Sequence, residues 1–131
     1  MKTFSFDGRT FRFEVESVYD GDTCTLTFLQ ESETDPVFKP GARLTCKCRL
    51  LDINAAELKP GLSTPDRNAI VEKAKVARDY LTGLLGTGAG MTVVCGPFDK
   101  YGRVLVTIKR EDGLTINDMM ISGGHANVYH V

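Results

Sequence analysis

Phe11-Arg12-Phe13-Glu14-Val15-Glu16-Ser17-Val18-Tyr19-Asp20-Gly21-Asp22-Thr23-Cys24-Thr25-Leu26-Thr27-Phe28 is the stretch that decides the fold. Phe11, Phe13 and Val15 alternate with Arg12, Glu14 and Glu16, the period-2 pattern of a half-buried strand running to about Val18. Cys24, Leu26 and Phe28 repeat the pattern against Thr23, Thr25 and Thr27. Asp20-Gly21-Asp22 separates the two runs and reads as a turn. Two antiparallel strands follow from side-chain period and turn chemistry alone.

Moving outward, Phe4 and Phe6 precede an Asp7-Gly8 pair of hairpin-turn type. Residues 30–42 are polar and acidic with Pro36, Pro40 and Gly41, a loop. Residues 43–51 form a third strand with Arg43, Thr45, Lys47 and Arg49 on its outer face. Residues 57–65 contain Pro60, Gly61 and Pro65, a second loop. Thr64 then suits a helix N-cap and Pro65 the first helical position. Ile70, Ala74, Ala77, Leu81 and Leu84 follow at helical spacing, and Gly86 closes the helix. Met91–Cys95 and Arg103–Lys109 are two further strands, the last closed by Asp112-Gly113. Ile116, Met119 and Met120 mark a short second helix stopped by Gly123-Gly124. Five short strands of antiparallel character and two helices predict an α+β fold. A small closed or nearly closed barrel removes the sheet edges.

The 131 residues amount to one domain spanning 1–131. Apolar residues form 42% of the chain and charged residues 25%, which excludes disorder and coiled coil. No apolar run approaches the ~20 residues of a membrane span. No secretory leader is evident at the first residues, so an intracellular protein with reduced thiols is expected. Cys46 and Cys48 fall on the inward face of the third strand with Leu44 and Leu50. Only one residue separates them, which disfavours a zinc pair completed by His125 or His130.

The formal charge is −1, which taken alone argues against a polyanionic partner. The distribution is uneven. Residues 1–40 hold four Lys/Arg against eight Asp/Glu, residues 41–110 hold twelve against six, and residues 111–131 none against three. A basic central segment can therefore form one face.

The residues able to do chemistry sit at strand ends. Asp20 and Asp22 flank a glycine and offer hard oxygen ligands of the kind Ca²⁺ prefers. Arg49 closes a strand, and Asn54 and Glu57 follow it. Asp99-Lys100-Tyr101-Gly102-Arg103 brings a second arginine to a strand entrance. Two arginines can grip a phosphodiester, and a nearby carboxylate can activate water. Each also has a plainer reading, as turn residues and surface ion pairs.

These segments resemble, in order, the motifs of the staphylococcal-nuclease-like (thermonuclease) family. Val18-Tyr19-Asp20-Gly21-Asp22-Thr23 resembles the first and Arg49–Glu57 the second. Asp99–Arg103 is similar to the third. Ile116–Ile121, Gly124-His125-Ala126 and Tyr129 are similar to the closing helix and tail. The wording is also similar to that of homologues carried by large DNA viruses. The resemblance implies a five-stranded OB barrel with two packed helices, lacking the long C-terminal helix of the staphylococcal enzyme. It implies Ca²⁺-assisted hydrolysis of DNA or RNA, single-stranded or flexible, by a monomer that leaves 3′-phosphate ends. Carried over residue by residue, Asp22, Asn54 and the Ala55 carbonyl would ligate Ca²⁺, with Asp20 supporting them. Arg49 and Arg103 would bind the reacting phosphate and Glu57 would act as general base. Lys100, Tyr101 and Tyr129 would hold the nucleotide.

Two departures stand out. Asn54 replaces a customary aspartate, and Ala56 a customary proline. If strand alternation persisted past Arg49, Asp52 would point the same way as Asn54 and restore negative potential. His125 is expected to pack or cap. Loops 30–42 and 57–65 are expected to flank the pocket and be mobile without ligand. The competing function is a catalytically silent OB module that binds nucleic acid or a protein.

Overall fold

The computed structural model describes residues 4–56, 63 and 65–129. The element order is β1 (Thr10–Asp20), β2 (Thr23–Leu29), β3 (Arg43–Leu50), β4 (Ile53–Ala55), α1 (Arg67–Leu85), β5 (Thr92–Phe98), β6 (Val104–Lys109), α2 (Ile116–Ser122) and β7 (Ala126–Val128). Strands β1-β2-β3-β6-β5 close into a barrel, and β4 and β7 form a separate two-stranded ribbon. The barrel is the five-stranded OB-fold that the resemblance implies, and its α+β class, closure and two helices are those the patterning predicts.

One pairing differs from expectation. β3 runs parallel to β6, with Cys48 beside Val104 and Leu50 beside Val106. A parallel neighbour needs a long crossover, and β4, α1 and β5 lie between the two strands in the chain. Every other barrel pairing is antiparallel.

The core is the inward face of each alternating strand. Phe11, Phe13, Leu26, Phe28, Cys48, Leu50, Val104, Val106 and Ile108 are all buried. Burying one such large side chain stabilises the fold by roughly 1.5–3 kcal/mol. One end of the barrel is filled by aromatic rings. Phe6 packs edge-on to Phe28 at 5.6 Å, and Phe11 stacks on Phe28 at 5.1 Å. Asp7-Gly8 turns as expected, but residues 4–6 are not a strand. Gly8 N–H instead donates to the Cys95 carbonyl and extends the β1–β5 seam.

The helix α1 covers the barrel with Ala74, Ala77, Leu81 and Leu85. Its start differs from the sequence reading: Thr64 lies outside the described residues, and Pro65 is not helical. Asp66 takes the N-cap place at φ 55°, a left-handed conformation that cannot continue a helix, so α1 begins at Arg67. Gly86 ends it, donating its N–H to the Thr82 carbonyl. Among the described residues no helix is long and apolar enough to cross a membrane.

Segment 30–42 also departs from expectation. In the β2–β3 ladder, Thr23 faces Arg49 at one end and Leu29 faces Arg43 at the other. The segment therefore closes the end away from Arg49 and does not flank the site. It is also well tied. Gln30 is buried, Arg9 pairs with Asp35 at 2.9 Å, and Asp35 accepts N–H bonds from Val37 and Phe38. Of segment 57–65, only residues 63 and 65 are described.

Candidate active site

Asp20 and Thr23 pair across the β1–β2 turn, so Gly21 and Asp22 form its tip. This tip is pressed into the protein. A Cβ on Gly21 would stand 2.8 Å from the Cβ atoms of both Ala55 and Ala77, so only glycine lets the turn lie against β4 and α1. The tight seat leaves Asp20 and Asp22 buried. The Asp22 N–H donates to Asp20 Oδ1 at 3.1 Å, and Thr23 Oγ1 donates to Asp22 Oδ1 at 3.0 Å.

Asp22 Oδ2 accepts the Ala55 N–H at 2.8 Å and fastens the turn to β4. The Nη2 of Arg49 then reaches both Asp22 Oδ2, at 3.4 Å, and Asn54 Oδ1, at 2.9 Å. One atom thus bonds both side chains. The Nη1 of Arg49 donates to the carbonyls of Ile53, at 2.9 Å, and Leu50, at 3.3 Å. Tyr129 lays its ring 5.7 Å from the guanidinium carbon. Asp20, Asp22, Arg49, Asn54, Ala55 and Tyr129 are therefore brought together.

Burial, and after it the adjoining Asp22 carboxyl, pushes the Asp20 carboxyl up to about 7. Arg49 pairs with Asp22 and not with Asp20, so the buried Asp20 carboxyl, beside a second carboxyl, favours its protonated form.

Lys100, Tyr101 and Arg103 form a second cluster on the β5–β6 turn. Arg103 Nε donates to Asp99 Oδ2 at 2.7 Å. The N–H groups of Tyr101 and Arg103 both donate to Asp99 Oδ1 at 2.9 Å. Burial raises the Asp99 carboxyl, but these donors outweigh it and hold it below the usual carboxylate range. Lys100 and Arg103 lie 5.1 and 5.4 Å from the Tyr101 ring centre. In the parallel register Arg103 sits one step before the Cys48–Val104 pair. Cys48 and Val104 point inward. By alternation, Arg49 and Arg103 leave the outer face on neighbouring strands.

Glu57 lies outside the described residues. Asp52 is described, and it corrects the alternation expectation. β3 ends at Leu50, and Asp52 takes φ 63°, so the chain turns before β4 begins at Ile53. Its carbonyl accepts the Tyr129 N–H at 2.8 Å. The β4–β7 ribbon, with Asn54 opposite Asn127, is absent from the sequence reading. His125 packs, as expected, against the Tyr80 ring at 4.3 Å.

Sequence reading also passes over Asn117. This buried amide accepts the Ile108 N–H at 3.1 Å and donates to the carbonyls of Leu51, at 3.1 Å, and Val106, at 3.0 Å. It pins the turn between Arg49 and Asn54 to the barrel. A polar residue on the inward face of a short amphipathic helix is the signal that could have found it.

The groups that meet Arg49 all present oxygens: the Asp22 carboxyl, the Asn54 amide and the carbonyls of Leu50 and Ile53. That set suits a hard divalent cation. Among the described residues no three His, Cys, Asp or Glu side chains converge as metal ligands. A cation here would thus depend on Asn54, backbone and water as well as Asp22. The cysteines offer no alternative centre. All four are free, and burial pushes the Cys24 and Cys95 thiols up to about 12.

No protein-family model matches the chain. Over 89% of its length the chain is 31% identical to a Bacillus subtilis (strain 168) protein named Endonuclease YhcR. The chain spans 9% of that protein's length.

Proposed function

We propose that this chain is a nuclease of the staphylococcal-nuclease-like type, hydrolysing phosphodiester bonds of DNA or RNA by attack of water with Ca²⁺ as cofactor. The observation that carries the reading is the meeting of Asp22 and Asn54 on a single atom of Arg49. The name of the Bacillus relative supports the same class of activity.

In this reading Asp22, Asn54 and the Ala55 carbonyl would hold the cation, and Asp20, on the same turn, would support them and give up its proton when the cation binds. When bound, Ca²⁺ would polarise the phosphate and favour deprotonation of the attacking water. Arg49 Nη2 leaves its two oxygen partners for the substrate phosphate, while Nη1 keeps the guanidinium anchored on the Ile53 and Leu50 carbonyls. Arg103 approaches the same phosphate from the neighbouring strand, so two forked donors face the developing charge. Glu57 takes the proton of the attacking water. Lys100 and Tyr101 receive the adjoining nucleotide, and Tyr129 stacks near Arg49. Single-stranded or flexible substrate is favoured because the exposed Tyr101 ring can meet only an unpaired base.

Purified protein incubated with single-stranded DNA and with RNA should cleave in Ca²⁺ and stop in EDTA. Glu57→Gln should lose about a hundredfold or more. No metal-dependent cleavage, with Glu57→Gln equal to wild type, overturns the proposal.

One observation favours a second reading, a silent OB module. Asn54 accepts from Arg49 and brings no charge to a cation, which weakens affinity. Asn54→Asp separates the two readings: a large gain in Ca²⁺-dependent cleavage marks the natural chain as a weakened or silenced nuclease.

A further inference from the structure

A second concavity opens beside Asn54. It holds about 220 Å³ and is walled by Asn54 and Ala56, by Lys73 from α1, and by Gly124, His125 and Asn127 leading through β7. Among the described residues none of its walls is acidic. Lys75 pairs with Glu72 one turn away, whereas Lys73 is exposed and makes no ion pair among the described residues. Asn54 and Asn127 are cross-strand partners in the β4–β7 ribbon, so both amides lie on the same face. Asn54 Oδ1 is taken by Arg49, which leaves the amide N–H groups for another acceptor. The His125 ring is steadied by Tyr80, its plane tilted 33° to the tyrosine.

The described walls of the groove thus combine one point charge, two amides and an imidazole, all able to donate. Phosphate, with several acceptor oxygens and a diffuse charge, is the group that uses such a set fully. Asn54 belongs to both places: its carbonyl faces Arg49 and its residue forms a wall of the groove.

We propose that this groove is a subsite for a second phosphate of the bound strand, next to the one held at Arg49, with Lys73 as its charge and His125 and Asn127 as hydrogen-bond donors. The inference rests on the reading of the Arg49 site as a nucleic-acid site, and it deepens that reading. Its consequence is a substrate longer than one phosphodiester.

The test is equilibrium binding in EDTA, which needs no cleavage. The probes are a dinucleoside monophosphate and a trinucleoside diphosphate of thymidine. The variants are Lys73→Met, on an exposed helix face, and His125→Phe, which keeps the ring on Tyr80. Lys73→Met should weaken the trinucleoside diphosphate about 5- to 20-fold and the dinucleoside monophosphate less than about twofold. The slope of log affinity against log salt should fall by about 0.7 for the longer probe alone. His125→Phe should weaken the longer probe less, in the same selective way. Equal loss on both probes, no loss on either, or failure of wild type to bind the longer probe overturns the subsite. Absence of cleavage in Ca²⁺ overturns the catalytic proposal and leaves this comparison standing.

Discussion

The two arginines that sequence reading treats as a pair sit in unlike settings. Arg49 has four hydrogen-bond partners among the described residues and a side chain 15% exposed. Among the described residues the Arg103 side chain, 26% exposed, bonds only Asp99 and lies over the ring of Tyr101, itself 71% exposed. The first belongs to the packing of the turn, β4 and Asp22; the second is an outpost on a hairpin. A residue of the first kind is constrained twice, by fold and by chemistry, and a residue of the second kind only by chemistry.

The widest break would come from the pair of alanine substitutions. Arg49→Ala and Arg103→Ala should each cut turnover on single-stranded DNA by about 10²–10³-fold if both face the same phosphate. Only Arg49→Ala should also cost stability, roughly 2–4 kcal/mol, because it leaves the buried Asp22 without its cation. Arg103→Ala should stay within about 1 kcal/mol of wild type. Urea melts of both variants check this, and equal stability losses would erase the distinction.

Gly21→Ala sharpens the buried side further. Its new Cβ meets two others at 2.8 Å, so overpacking should destabilise by about 1–3 kcal/mol. A Gly102→Ala control meets nothing within 4 Å, but its φ of 82° still strains alanine. Calorimetric melting of the two separates crowding from backbone strain, and Gly21→Ala should lose more activity because its turn carries Asp22.

The smallest effect belongs to the exposed side. Tyr101→Ala should leave the melting temperature unchanged and weaken single-strand binding by about 1–3 kcal/mol through lost stacking. Fluorescence titration reads this directly. An intact affinity would mean that the hairpin does not touch substrate.

The barrel was legible because its strands are long enough to alternate several times. Phe11–Val15 and Cys24–Phe28 commit their faces before any tertiary contact is known. β4 and β7 have three residues each, too few for a period, and they exist because β3 ends, Asp52 turns the chain and Tyr129 closes on it. The parallel β3–β6 pairing was hidden for a different reason: nothing in either strand records the direction of its neighbour. Within the site, Asp22, Arg49 and Asn54 stood out as polar residues at strand ends. That Arg49 bonds Asn54 could not be read, since the turn at Asp52 sets their approach. Lys73 and Asn127 were silent because a solvated helix face and a tail look alike wherever they occur.

Asn117 joins three separate parts of the chain through one amide. Its anchor points lie on β6 and on the turn after β3, and all of them are made earlier in the chain than the residue that ties them. A ribosome would thus expose Asp22, Arg49 and Asn54 well before the fastening that fixes their spacing. Competence arrives late, as a property of a chain whose second helix has docked, and a barrel stalled short of that step would carry the right residues in a loose frame.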